Sequence, residues 1–173
     1  MVGQQQVYDY LNKLNISFEY YEHPEAPTIE IASKFYRGEG TTLCKNLFFR
    51  NHKGNRHYLV IMKSTSQMDI HAIEKQLHQG KLSFASPERM MKYLGVKPGS
   101  VSLFTLVNDV NHEVTLFVDE NLMNAEKVAF HPNDNRASLV ISNADMIKFI
   151  ENIGNNYEVL KIYDEDSATA VEN

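Results

Sequence analysis

The chain has 173 residues, 43% apolar and 23% charged, which suits a single soluble domain with a sizeable core. Its formal net charge of −5 excludes the global basic field on which nonspecific duplex-DNA binders depend. One cysteine, Cys44, excludes an intramolecular disulfide and a cysteine-based zinc cluster within the chain, and no apolar run is long enough to span a bilayer.

Val7, Leu11 and Leu14 recur at helical spacing and predict an amphipathic first helix ending near Asn15. Ser17–Tyr21 reads as a strand, broken by His-Pro-Glu-Ala-Pro at 23–27; Pro27 and Thr28 then start a short helix through Ile31 and Phe35. Leu43–Arg50 and Tyr58–Lys63 are predicted strands joined by a hairpin loop containing Lys-Gly-Asn. Asp69 caps a helix carrying Ile70, Ile73 and Leu77 that Gly80 stops. A second capped helix follows, with Ser86 at the N-cap, Pro87 in the first turn and Gly95 just past the end.

Strands are predicted at Ser102–Leu106, Glu113–Val118, Lys127–Phe130 and Ala137–Ile141. Ser142 and Asp145 form a capping-box-like start to a helix with Met146, Phe149, Ile150 and Ile153 on one face. Gly154 ends it before a last strand, Tyr157–Tyr163. The pattern predicts an α+β fold, a mixed and barrel-like curved β-sheet flanked by helices, in one domain over residues 1–165. An acidic tail, 166–173, is expected to fray, and the first ten residues carry no basic or long apolar leader, so a cytoplasmic location is expected.

The chemistry concentrates in Thr-Leu-Cys-Lys-Asn-Leu-Phe-Phe-Arg at 42–50. A lysine and an asparagine amid a strand this apolar need partners, or a cavity holding water or a ligand. Strand alternation sends Lys45 and Cys44 to opposite sides. It also turns Asn46 away from Lys45, so Asn46 acts through its backbone N–H or sits at a bulge. The loop Gly-Val-Lys-Pro-Gly-Ser at 95–100 exposes backbone N–H groups that suit an oxyanion or phosphate, and His131 stands at a strand end before a polar turn.

No P-loop, G-x-S-x-G elbow or G-x-G-x-x-G occurs. Cys44 reads as a small buried hydrophobe rather than a nucleophile. His71, Glu74 and His78 share a helix face, and His52 and His57 flank a loop, but neither set has a recognised metal-ligand spacing; no metal and no cofactor are expected.

The order Glu-His-Pro (22–24), Cys-Lys-Asn-Leu-Phe (44–48), Gly-Val-Lys-Pro-Gly-Ser-Val-Ser (95–102), Leu-Val-Asn-Asp (106–109) and Phe-His-Pro-Asn-Asp-Asn (130–135) resembles the YbaK/prolyl-tRNA-synthetase-associated domain family. The resemblance runs from about Val7 to Tyr163 and is strongest to its free-standing deacylases. It implies an aminoacyl-tRNA hydrolase acting in trans on mischarged tRNA(Pro), with Lys45 as the hallmark site residue. The Lys-Asn pair implies alanine rather than cysteine as the cleared amino acid. Gly95, Pro98, Gly99, Ser100 and His131 match the family's substrate-binding loop and histidine.

The implied partners are the acceptor end of tRNA(Pro) and, transiently, prolyl-tRNA synthetase, with no membrane and no DNA. Lys53, Arg56, Lys63, Lys92 and Lys97 are candidates for a local basic rim. A cysteinyl-tRNA(Pro) deacylase or a catalytically silent binding module of the same fold are the alternatives. The chain departs from the family at Leu103, where relatives commonly carry proline, and at Arg136-Ala137-Ser138, which replaces a threonine-rich step.

Overall fold

The structure, a computed structural model, describes residues 1–161; the acidic tail expected at 166–173 and the end of the strand expected to reach Tyr163 lie outside the described residues. Helix α1 spans Gln5–Lys13, strand β1 Glu19–Glu22, helix α2 Ile29–Ala32, strand β2 Thr41–Arg50 and strand β3 His57–Lys63. Helix α3 (Ile70–Leu77), strand β4 (Ser83–Phe84) and helix α4 (Pro87–Leu94) follow. Strands β5 (Val114–Asp119), β6 (Lys127–Phe130) and β7 (Ala137–Ser142), helix α5 (Asn143–Ile153) and strand β8 (Tyr157–Leu160) complete the fold.

The strands form one mixed, curved sheet in the order β1-β7-β6-β2-β3-β5-β8, with β4 paired to β2. It stays open, since β1 and β8 end it without pairing to each other. Strand β3 is buried along Tyr58–Met62 because both its faces are covered, which explains its unbroken apolar run. On one face Phe48, Leu59, Ile61, Leu116 and Val118 join α1, α4 and α5 in the main core. On the other, Phe49, Tyr58, Val60, Met62 and Phe117 pack beneath Ile73 of α3.

The local signals for helix ends work as their chemistry requires. Ser86 accepts the Arg89 N–H, Ser142 the Asp145 N–H, and Asp69 the Ala72 N–H. Gly95 and Gly154 take the left-handed conformation that closes α4 and α5. Helix α3 departs from expectation: His78, not Gly80, takes the left-handed C-terminal position, at φ 53°.

A larger departure is the predicted strand Ser102–Leu106, which is instead a 3-10 helix over Leu103–Asn108. Its first four residues are fully buried, so burial alone does not distinguish the two conformations. Ser102 decides the matter locally: its hydroxyl accepts the Phe104 N–H and its carbonyl the Thr105 N–H.

Candidate active site

Strand β2 is long enough to serve both halves of the sheet. One of its edges pairs continuously with β3, from Cys44↔Lys63 to Arg50↔His57, with no bulge. The other edge is shared: Thr41–Leu43 pair with β6, and Phe49–Arg50 pair with β4. Between those two partners, residues 44–48 have no strand beside them.

The Leu43 carbonyl accepts from Ser64 on the β3 side, and the Phe48 carbonyl accepts from Ala85 on the opposite side. Backbone direction alternates along a strand, so the N–H and C=O of Asn46 face the unpaired edge.

A cavity of about 280 Å³ opens at this gap. Its walls include Lys45 and Asn46 from β2, Ala26, Pro27, Thr28, Ile29 and Ala32 around α2, Gly99, Val101 and His131, with Phe84 and Met90 also lining it. The regular register puts Lys45 and Asn46 on opposite faces of β2, as alternation requires. Both still reach the cavity, because it lies along the strand's edge rather than over one face.

Lys45 is half-buried, and among the described residues no hydrogen bond or ion pair holds its ammonium. Burial lowers its pKa below the ordinary lysine value, with the Glu30 carboxylate of α2 pulling the other way. The Asn46 side-chain oxygen accepts the Leu103 N–H at 3.1 Å. An N–H requires an acceptor, so this contact fixes the amide's orientation and leaves its NH₂ group to donate. Leu103 thereby gains significance as a departure: proline at this position would have no N–H to offer Asn46.

His131 lines the cavity with its Nδ1 buried and without a partner. Burial, with smaller contributions from His23 and Arg37, lowers its pKa to about 4, so the ring is neutral near pH 7. Cys44 faces the main core and burial pushes its thiol up, away from the reactive thiolate.

Of the glycine-proline loop, Gly99 lines this cavity, whereas Gly95, Pro98 and Ser100 line a separate depression with Gln4, Asn133 and Asp134. Pro98 has no N–H, and that of Ser100 is spent on the Lys97 carbonyl at 3.2 Å. Gly99 is the member of 98–100 whose N–H remains available. Its φ is +90°, a conformation strained for any side chain, and a Cβ at this position would lie 3.2 Å from Pro27, which would have to give by a few tenths of an ångström.

The α2 wall is held from behind by a polar cluster. Buried Arg37 donates to the Ala32 and Phe35 carbonyls at the end of α2 and to the Ser138 hydroxyl of β7. The His23 ring lies 2.9 Å from that hydroxyl and stacks on Phe35, with centroids 5.1 Å apart. The Arg136-Ala137-Ser138 departure thus includes an anchor for this wall.

Sequence reasoning missed Phe84, Met90 and the 26–32 wall. Only the tertiary fold brings Lys-Leu-Ser-Phe-Ala, which reads as a loop between two capped helices, alongside β2.

The remaining candidates lie elsewhere. Glu74 accepts the Leu82 N–H and contacts His71, and among the described residues no group of three or more His, Cys, Asp or Glu could hold a metal ion. Nor, among the described residues, is any helix long and apolar enough to cross a membrane.

Residues 23–149 match the family model of the aminoacyl-tRNA editing domain. The chain is 36% identical over 162 residues to prolyl-tRNA editing protein ProX of Acetoanaerobium sticklandii, covering 94% of this chain and 99% of that protein. It is 30% identical over 154 residues to prolyl-tRNA synthetase associated domain-containing protein 1 of Mus musculus, covering 87% of this chain and 90% of the other. A solved structure described as a candidate trans-editing enzyme for prolyl tRNA synthetase shares the fold, with a TM-score of 0.72 at 20% identity over 92% of this chain and 96% of that one.

Proposed function

The chain belongs to the aminoacyl-tRNA editing domain family and is an aminoacyl-tRNA deacylase; from that premise we propose that it hydrolyses alanine mischarged onto tRNA(Pro). The observation that carries this is the meeting, at one unpaired strand edge, of an unpartnered ammonium (Lys45), an amide held by its oxygen (Asn46) and a free backbone N–H (Gly99). All are donors, and among the described residues they line one cavity of about 280 Å³.

An aminoacyl ester is already activated, so hydrolysis needs a placed water and a stabilised oxyanion more than a protein nucleophile. Water adds to the ester carbonyl, and the oxyanion that forms accepts hydrogen bonds from the Asn46 NH₂ and the Gly99 N–H. Collapse breaks the bond to the ribose oxygen, which takes a proton and leaves as the hydroxyl of the terminal adenosine. The adjacent ribose hydroxyl relays the proton of the attacking water. Lys45 holds the terminal nucleotide through its sugar or phosphate, and neutral His131 packs against the aminoacyl group.

The need for such a site is physical. A synthetase pocket made for proline excludes the smaller alanine by only about 1–3 kcal/mol, whereas a small second cavity excludes the proline ring sterically.

The decisive assay is deacylation of alanyl-, cysteinyl- and prolyl-tRNA(Pro) by the native protein and by Lys45→Ala. Selective loss of alanine, abolished by the substitution, is the expected result. Preferred loss of cysteine would reassign the substrate, and equal rates for the native protein and Lys45→Ala would refute the role of Lys45.

A further inference from the structure

We propose that Phe84 is a stacking platform for the nucleobase of the terminal nucleotide, an inference that rests on the tRNA-editing reading of the cavity. Phe84 is 66% exposed, although its neighbours Leu82 and Ala85 are buried at 2% and 5%. Its position is nonetheless well determined. Phe84 pairs with Phe49 and Ser83 with Arg50, and the Ala85 N–H is bonded to the Phe48 carbonyl at 2.9 Å.

The ring lies on Phe49, with centroids 4.6 Å apart and planes 27° from parallel. Phe49 is itself buried, so one face of the Phe84 ring is backed by the core and the other is open. Isolated exposed apolar side chains are common on proteins and by themselves signify nothing. Phe84 differs in location, because it stands at the mouth of the cavity that Lys45, Asn46, Gly99 and His131 line.

Covalent connectivity identifies the occupant. The ester and the nucleobase are carried by the same ribose, so an ester carbonyl held at Asn46 and Gly99 leaves the base within one sugar's width of that mouth. A flat, firmly backed ring is the surface on which a base stacks, regardless of base identity.

Charge favours the same path. Arg50 lies in register with Ser83, and Arg89 and Lys92 project from α4, the helix whose Met90 lines the cavity. Arg50 and Arg89 are bonded to backbone carbonyls, Arg89 also to the His57 ring, and among the described residues neither makes a salt bridge. Their positive charge therefore remains to attract the phosphates of the preceding nucleotides.

The test uses acceptor-stem minihelices ending in a non-hydrolysable 3′-alanylamido nucleoside, one carrying adenine and one lacking the base, as competitors of alanyl-tRNA(Pro) hydrolysis. For the native protein, removing the base weakens inhibition about 10- to 100-fold. Phe84→Ala binds both analogues equally weakly, Phe84→Trp restores the difference, and Phe84→Leu, apolar but not flat, does not. Thermal melts check that each variant is folded. An equal base penalty in the native protein and Phe84→Ala, with turnover intact, overturns the platform alone. Absence of turnover by the native protein overturns the editing reading and the platform with it.

Discussion

Two histidines, His57 and His131, share an environment and differ in what it leaves undone. Burial lowers both pKa values to about 4. His57, at the start of β3, lies between the rings of Phe48 and Tyr93, with centroids 5.6 and 4.0 Å away, and Arg89 donates to its Nε2 at 2.9 Å. At the cavity, the Nδ1 of His131 is buried without a partner, beside a lysine likewise without one. A buried polar group left unsatisfied costs about 1–3 kcal/mol, and a fold tolerates this where a ligand supplies what is missing. On the proposed reading the satisfied imidazole serves the scaffold and the unsatisfied one, which lines the cavity, serves the substrate.

The sharpest way to break that contrast is to remove one group from each region. Lys45→Ala is expected to slow deacylation at least about 100-fold, comparable to losing a transition-state donor, while leaving the melting temperature within a degree or two. His57→Ala should do the reverse, costing about 3 kcal/mol or more through lost aromatic packing and the lost hydrogen bond from Arg89, with turnover per folded molecule retained. Paired melting and single-turnover measurements decide it.

Acid should affect both histidines in the same direction. Their folded pKa values, about 4, lie below the unfolded value near 6.5, so the unfolded chain binds more protons between these limits. Stability contributed by the neutral rings is fully present above pH 6.5 and is lost as the pH falls toward 4. A denaturant midpoint that stays flat across that window would contradict the burial of both rings. Replacing either histidine with Gln should reduce the slope.

At the cavity itself, His131→Ala enlarges the space for the aminoacyl group. The ratio of prolyl to alanyl hydrolysis should rise about 10-fold, the size expected when a pocket gains room for a few methylenes, as measured by kcat/KM on the two charged tRNAs. Leu103→Pro is subtler. Proline fits the first position of the 3-10 helix, and Ser102 is already extended at φ −151°, ψ 160°. The substitution removes the N–H that orients Asn46 and trims a fully buried side chain, so a several-fold fall in kcat is expected together with a stability loss of about 1–3 kcal/mol.

The smallest effect separates two glycines. Gly95→Ala is strained at φ +67° and brings its Cβ within 2.9 Å of the Asn108 amide, in a depression separate from the cavity, and should lower stability by about 1–2 kcal/mol without changing KM. Gly99→Ala, pressed against Pro27, should change KM as well.

Much of this was legible in the chain. The helix ends at Ser86, Gly95, Ser142 and Gly154 are local chemistry, written where side chains cap nearby backbone groups. The apolar β2 and β3 segments declared themselves by composition, and Lys45 and Asn46 by their presence in one of them. Ser102–Leu106 misled because a buried apolar segment satisfies either backbone geometry, and one serine hydroxyl settles which.

Sequence by itself determined most of the strands, the capped helices, and an ammonium and an amide placed where apolar residues dominate. Only the tertiary structure decided what those two residues meet. The alternation that sends their side chains to opposite faces is intrinsic to any strand. The gap between β6 and β4 that lets both reach one cavity depends on pairings with residues far away in the chain. The same long-range pairing brings Phe84, Gly99 and His131 to that gap, because the energy that positions them comes from distant backbone partners and a shared core.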